Sequence, residues 1–225
     1  MSIASEVIDW FTEQSHWRGT FGVPHRLREH LYLAGASLGA AFVLTFPLAV
    51  WLGHRRKGAF LAVNVANIGR AIPSLAILLL AVQWLGLKEW PVVGSVTAWM
   101  ALTALALAPI LTNTYIGLRD VPDAVRESAA AMGMTGWQQA LKVELPLALP
   151  LALAGLRTAA VQVVATATLA APVGAGGLGR FIVDGLAVRD FATVVAGAIL
   201  VAALAIVVDT LFALTGCRLL RHRAE

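Results

Sequence analysis

The sequence predicts an all-α integral membrane protein of about five transmembrane helices, and three observations carry that prediction. Hydrophobic residues make up 59% of the 225 and charged residues only 13%, whereas a soluble domain holds about 25% charged. The apolar residues gather into runs long enough for a helix to cross the hydrocarbon core, which takes about 20 residues. Basic residues stand between those runs, so the net charge of +4 reads as a topology signal and not as a nucleic-acid footprint. The single cysteine, Cys217, excludes an intrachain disulfide and a cysteine-based metal cluster.

Residues 1–30 mix polar and aromatic groups, among them Trp10, Phe11, Trp17, Arg18, Arg26 and Arg28. They predict an amphipathic extracytoplasmic segment lying at a membrane surface. Charges interrupt any apolar core there, so the segment is not a cleavable signal. The transmembrane domain is expected over 31–216. Its first span, 31–53, is free of charge and ends at the basic stop His54-Arg55-Arg56-Lys57. The apolar stretch 58–87 is broken only by "GRAIPS", too short for a hairpin, so it reads as one helix kinked near Pro73. "KEWPVVG" is an external turn before a third span over 95–118. Residues 119–146 cannot sit in lipid and form a loop. A fourth span over 147–171, a Gly-rich loop over 172–190 and a fifth span over 191–216 follow, and 217–225 form a basic cytoplasmic tail. Trp51, Trp84, Trp90 and Trp99 fall near span ends, as interfacial anchors do. With the basic stop, the 119–146 loop and the tail inside, nine Lys/Arg lie inside, six lie outside and two, Arg70 and Arg157, lie within spans. That bias puts the N-terminus outside and the C-terminus in the cytoplasm.

"GAGGLG", Gly174 to Gly179, satisfies G-x-G-x-x-G. A dinucleotide fingerprint works only after a strand and before a helix whose N-terminus holds the pyrophosphate. Here it follows a membrane span, and the chain holds no Gly-Lys pair from which a phosphate-binding loop could be built. No nucleotide site is recognisable, so ATP and magnesium have no place in this chain. Gly174, Gly176, Gly177 and Gly179 serve close backbone approach or positive φ. A tight turn and a moving gate both fit; four glycines beside "TATLAAPV" favour the gate.

The loop 118–150 reads as two short helices. The first starts near Asp120 or Val121, has Pro122 in its first turn, and stops at Gly133. The second opens with Thr135 and Gln138 at capping-box spacing and ends before Pro146. Glu127-Ser128-Ala129, Gly133, Val143, Leu145 and Pro146, at these spacings, resemble the E-A-A-x(3)-G-x(9)-I-x-L-P signature of binding-protein-dependent ABC importer permeases, with Ser128 for Ala and Val143 for Ile. "IPSLAILLL", "LAPILTNTYIGL", "VELPLALPLALAGLRTA", "ATLAAPVGAGGLG" and "DGLAVRDF" are similar to the osmoprotectant (glycine betaine/carnitine/choline) uptake permeases, which often carry Gln-Thr where this chain has Arg70-Ala71.

The resemblance implies a non-catalytic membrane subunit in a bacterial inner or plasma membrane. It implies cytoplasmic ATPases that bind ATP and magnesium, a second permease chain, identical or sister, and a separate extracytoplasmic solute-binding protein. It makes the loop a coupling helix, with Arg126, Glu127, Ser128, Ala129, Met132, Gly133, Met134, Trp137 and Pro146 at the ATPase. Polar residues inside spans should face the bundle, a partner or a water path. Asn64, Asn67, Arg70, Asn113, Thr114, Gln162 and Thr166 are thereby candidates for the translocation path or gate, with helix–helix bonding as the other reading.

Arg157 and Asp209 sit about 16 and 13 Å in from the same side at about 1.5 Å per residue. They predict a structural ion pair, with Arg70 as the competing partner. The tryptophans suggest no aromatic cage for a quaternary ammonium. Another small solute such as an amino acid, or an ion-coupled secondary transporter, are the other readings of the path. A membrane-embedded enzyme or a metal site is disfavoured: His16, His25, His30, His54 and His222 all lie outside the spans.

Overall fold

The structure, a computed structural model, describes residues 2–58, 64 and 93–221. Within these there is no strand. Helix α1 spans Ile3–Thr12, and a 3-10 turn covers Gln14–Trp17. Helix α2 spans Val23–His54, α3 Val93–Arg119, α4 Asp123–Ala131, α5 Gly136–Gln139 and α6 Leu145–Thr166. Helix α7 spans Gly179–Val188 and α8 Phe191–Arg221. Four stretches among the described residues are long and apolar enough to cross a membrane: Val23–His54, Val96–Arg119, Gly136–Val173 and Phe191–Arg218. The expected kinked helix over 58–87 lies outside the described residues, save Asn64.

Three expected boundaries moved. The first long helix begins at Val23, not Leu31, because its early charges find partners: Arg26 donates to Glu29 at 2.9 Å, and the Glu29 carboxylate also faces His25. The second loop helix does not end before Pro146. Proline has no N–H to give Lys142, and its ring would crowd that carbonyl. The backbone opens into a π turn over Ala140–Glu144 and carries on as α6. The stretch 172–190 is not all loop. A 3-10 turn over Ala167–Val173 runs to the glycines, and α7 follows, with an Arg180–Asp184 ion pair one turn apart.

The described residues fall into two compact units: those within Met1–Leu38, Pro73–Thr103 and Val161–Val208, and those within Gly39–Ile72, Ala104–Ala160 and Asp209–Glu225. The first unit is stapled by Trp10. Its indole packs with Val23 and Ala196 and meets Phe181 edge-on, and its N–H donates to the Thr193 hydroxyl at 2.9 Å. Helix α1, expected flat on a membrane surface, thus buries one face on α7 and α8 and leaves Ile3 and Ile8 exposed. Asp190 caps α8: its carboxylate accepts from the Thr193 N–H and hydroxyl, and these bonds hold its pKa below the ordinary aspartate value.

In the second unit Ala49, Leu52, Leu111 and Tyr115 pack α2 on α3, and Val50, Leu118 and Ala148 bring in α6. Small residues let these backbones close up, as in other membrane bundles. Gly155 of α6 faces Pro109 and Asn113 of α3. A methyl at Gly155 would stand 2.6 Å from the Asn113 Cβ and 2.7 Å from the Pro109 carbonyl oxygen. Gly155→Ala should therefore lower the thermal stability of the purified protein, by about 1–3 kcal/mol. Gly35→Ala, whose methyl meets nothing within 4 Å, should leave it unchanged or raise it by up to about 1 kcal/mol. Equal melting temperatures for the two variants would contradict the α3–α6 contact.

Candidate functional site

The loop 119–146 is built around a buried carboxylate. Glu144, in the π turn, is 0% exposed. His54 Nδ1–H, from the end of α2, lies 3.0 Å from both its oxygens, and Arg126 of α4 reaches it at 3.2 Å. Arg126 also donates to the His54 carbonyl at 3.0 Å and the Leu118 carbonyl at 2.8 Å. Burial pushes the Arg126 guanidinium below its ordinary value, and the Glu144 carboxylate pulls the other way. Arg56 adds a second tie, pairing with Asp123 and donating to the Val121 carbonyl at 2.8 Å. Four segments thus meet on one fixed charge cluster, and α4 is set against the ends of α2 and α3.

This arrangement divides the residues expected at the loop. Glu127, Ser128, Met132, Gly133 and Trp137 are exposed, Met132 by 72% and Trp137 by 61%. Arg126 turns inward to Glu144, Ala129 is buried on the inner face of α4, and Met134 and Pro146 are half-buried. Gly133 ends α4 at φ +79°, the left-handed conformation that glycine takes without strain. Gln138 accepts the Thr135 N–H at 2.9 Å and caps α5. A 210 Å³ cleft lined by Trp51, His54, Arg55, Thr135, Gly136 and Trp137 opens beside the exposed apolar face. The sequence reading passed over Glu144 and His54 as site residues. An acidic residue entering an apolar run was the available signal, since it requires a basic partner.

In the first unit the glycine stretch is gripped by α2. Gly174, Gly176 and Gly177 all have positive φ, while Gly179 opens α7. The Gly177 N–H donates to Glu29 at 2.9 Å and the Leu178 N–H to His30 Nδ1 at 3.3 Å. His30 Nε2 lies 2.9 Å from the Val164 carbonyl, which can only accept. His30 is therefore the Nε2–H tautomer, buried between the turn and α6. Glu29 and His30 were also missed by the sequence reading; their adjacency inside a segment taken as peripheral hid them.

The remaining candidates are dispersed. Asn67 and Arg70 lie outside the described residues; Asn64 is helical and half-buried. Asn113 turns its amide back on the Pro109 carbonyl at 2.9 Å, and Thr114 is buried with its hydroxyl unpartnered among the described residues. Gln162 and Thr166 are half-buried on α6. Arg157 and Asp209 meet as a two-pronged pair, Nε to Oδ1 at 2.5 Å and Nη2 to Oδ2 at 2.6 Å. Among the described residues no cluster of three potential metal ligands occurs.

Comparison with known proteins settles what kind of molecule this is. The family model described as the binding-protein-dependent transport system inner membrane component matches residues 45–220. The chain belongs to this family. The permease is 39% identical over 191 residues to the glycine betaine/carnitine/choline transport system permease protein OpuCB of Bacillus subtilis, covering 85% of each chain. It is 35% identical over 212 residues to the carnitine transport permease protein OpuCD of Listeria monocytogenes, covering 94% of this chain and 90% of that one. It is 36% identical to the osmoprotectant import permease protein OsmY of Salmonella typhimurium, over 87% of this chain and 81% of that one. Among solved structures, an inward-facing form of the MetNI methionine ABC transporter superposes with a TM-score of 0.68 at 27% identity, covering 86% of this chain and 92% of that one. The molecule is thus a permease component of an ABC importer, with the fold of that class.

Two expectations follow from the charge clusters. Glu144→Ala strands Arg126 without its carboxylate, and breaking a buried pair from one side costs about 3–5 kcal/mol. The melting temperature of the purified permease should fall sharply, while that of Glu127→Ala, at an exposed position, should not change. Arg157→Ala or Asp209→Ala alone should reduce the yield of intact permease on size-exclusion chromatography, and the double change should recover part of it. Simple addition of the two single losses would show that the pair contributes nothing to assembly.

Proposed function

We propose that this permease forms half of the translocation path of an ATP-driven importer for osmoprotectants carrying a quaternary ammonium, such as glycine betaine, carnitine or choline. Three relatives from three organisms, each matched over most of both chains, support the reading: two are named for glycine betaine/carnitine/choline or carnitine transport and one for osmoprotectant import. The second half is another permease chain, identical or sister. A separate binding protein delivers the solute at the outer face, and cytoplasmic ATPases, which hold the ATP and magnesium, drive the cycle. The positive-inside bias supports an N-terminus outside and a C-terminus in the cytoplasm of a bacterial inner membrane.

The observation that carries the coupling is the exposed face of the loop. Glu127 offers a carboxylate for charge-assisted bonds. Met132 and Trp137 offer apolar area that a soluble surface would not leave uncovered. Behind them the Glu144 cluster holds α4 to the ends of two long helices, so a push on this face moves helices and not a loose loop. Amino-acid import is the second reading, favoured by the fold's likeness to a methionine transporter.

Reconstitution in vesicles with ATPase and binding protein tests both readings: uptake of labelled glycine betaine, carnitine or choline should require internal ATP. Uptake of amino acids alone, or uptake that follows an ion gradient without ATP, would refute the proposal. Gly133→Val puts a β-branched residue at positive φ, a strain of about 1–3 kcal/mol. It should insert normally, while ATPase association and solute-stimulated ATP hydrolysis fall at least several-fold. Unimpaired uptake by that variant would remove the loop from the coupling path.

A further inference from the structure

A cavity of 470 Å³ in the first unit is lined, among the described residues, by Glu29, Tyr32, Leu33 and Ala36 of α2, Val96 and Trp99 of α3, and Ala175 of the glycine turn. Its volume falls in the range of small-molecule sites, about 300–1,000 Å³. The α2 residues recur at i, i+3, i+4 and i+7, so one face of the helix forms a wall. Tyr32 is 78% exposed and Trp99 37% exposed; both are large rings left uncovered on this cavity. The carboxylate is held in place by the Gly177 N–H and Arg26, each at 2.9 Å, and by His25 Nε2 at 3.1 Å.

From this geometry we infer that the cavity binds a quaternary ammonium head group. Such a head has no N–H to donate, so hydrogen-bond acceptors alone do not recognise it. It is recognised by π faces and a nearby negative charge against apolar walls, and Tyr32, Trp99, Glu29, Leu33 and Val96 supply these. Arg26 already neutralises Glu29, leaving the cavity near zero net charge. Binding is then weak enough to release, as a station on a path requires, and a zwitterion is accepted as well as a cation. Because Glu29 also holds the Gly177 N–H, and Ala175 is part of the lining, an occupant touches the glycine turn directly. The choice of ligand class rests on the function proposed above; the cavity and its rings do not.

The test is equilibrium binding of radiolabelled choline to the assembled permease–ATPase complex in nanodiscs, without binding protein. The wild type should bind saturably, and 3,3-dimethylbutan-1-ol, the neutral isostere, should fail to displace choline at equal concentration. Tyr32→Leu and Trp99→Leu should each weaken binding about 3- to 30-fold, and Tyr32→Phe should stay within about twofold. Glu29→Gln, which keeps length and an acceptor for Gly177, reads the charge separately and should also weaken choline. Should a leucine variant fail to assemble, Glu29→Gln and the isostere decide the matter. No saturable binding, equal displacement by the neutral alcohol, or wild-type affinity in the leucine variants overturns the site. Uptake separates this from the parent reading. A complex that imports these solutes with choline binding indifferent to both rings loses the site and keeps the function. A complex that binds choline here but imports none of them keeps the site and loses the function.

Discussion

Hydrocarbon offers no hydrogen-bond partner, and the rest of this structure follows from that. Each backbone polar group within a span must be satisfied by protein, and many side-chain hydroxyls and amides turn back on the chain as well. Thr103, Thr158 and Thr215 bond back to carbonyls on their own helices. Asn113 does the same to Pro109, beside the proline that breaks the helical ladder. Charges are paired or collected at helix ends: Glu29 with Arg26, Glu144 with Arg126 and His54, Arg157 with Asp209. Two of these three, among the described residues, are polar stations that also hold a loop. The Glu29–His30 grip fixes a glycine turn in one unit, and the Glu144 cluster fixes the 119–146 loop in the other.

The two stations have different mechanical character. Around Glu144 the contacts are ionic, buried and shared among four segments, so the loop moves with its helices or not at all. Around Glu29 and His30 they reach two backbone N–H groups, those of Gly177, at positive φ, and of Leu178, at the start of α7.

Much of this was legible in the sequence. Composition and run length gave the membrane class, and the Glu127–Gly133–Pro146 spacing gave the family. Depth counting from Pro146 and Arg218 brought Arg157 and Asp209 to the same level, where the structure joins them. What was not legible required knowledge of neighbours far along the chain. Val23 to His30 looks too polar for a long helix until Glu29 and His30 are seen to be bonded to residues about 140 positions later. Pro146 looks like a stop because the π turn that accommodates it has no composition of its own. Trp99 has the address of an interfacial anchor, and only its place beside Tyr32 and Glu29 makes it a ring in a cavity.

The Arg157–Asp209 pair carries a further consequence, for the order of biogenesis. The partners are 52 residues apart. At 5–20 residues per second, synthesis delivers the arginine about 3–10 s before the aspartate. Through that interval α6 carries an unneutralised guanidinium toward mid-membrane, where an isolated charge is costly by about 2.5–3.5 kcal/mol on insertion scales. Helix α6 is therefore not a finished transmembrane segment when it leaves the ribosome. It becomes one when α8 arrives, and a chain truncated before Asp209 lacks the counter-ion on which an earlier segment waits.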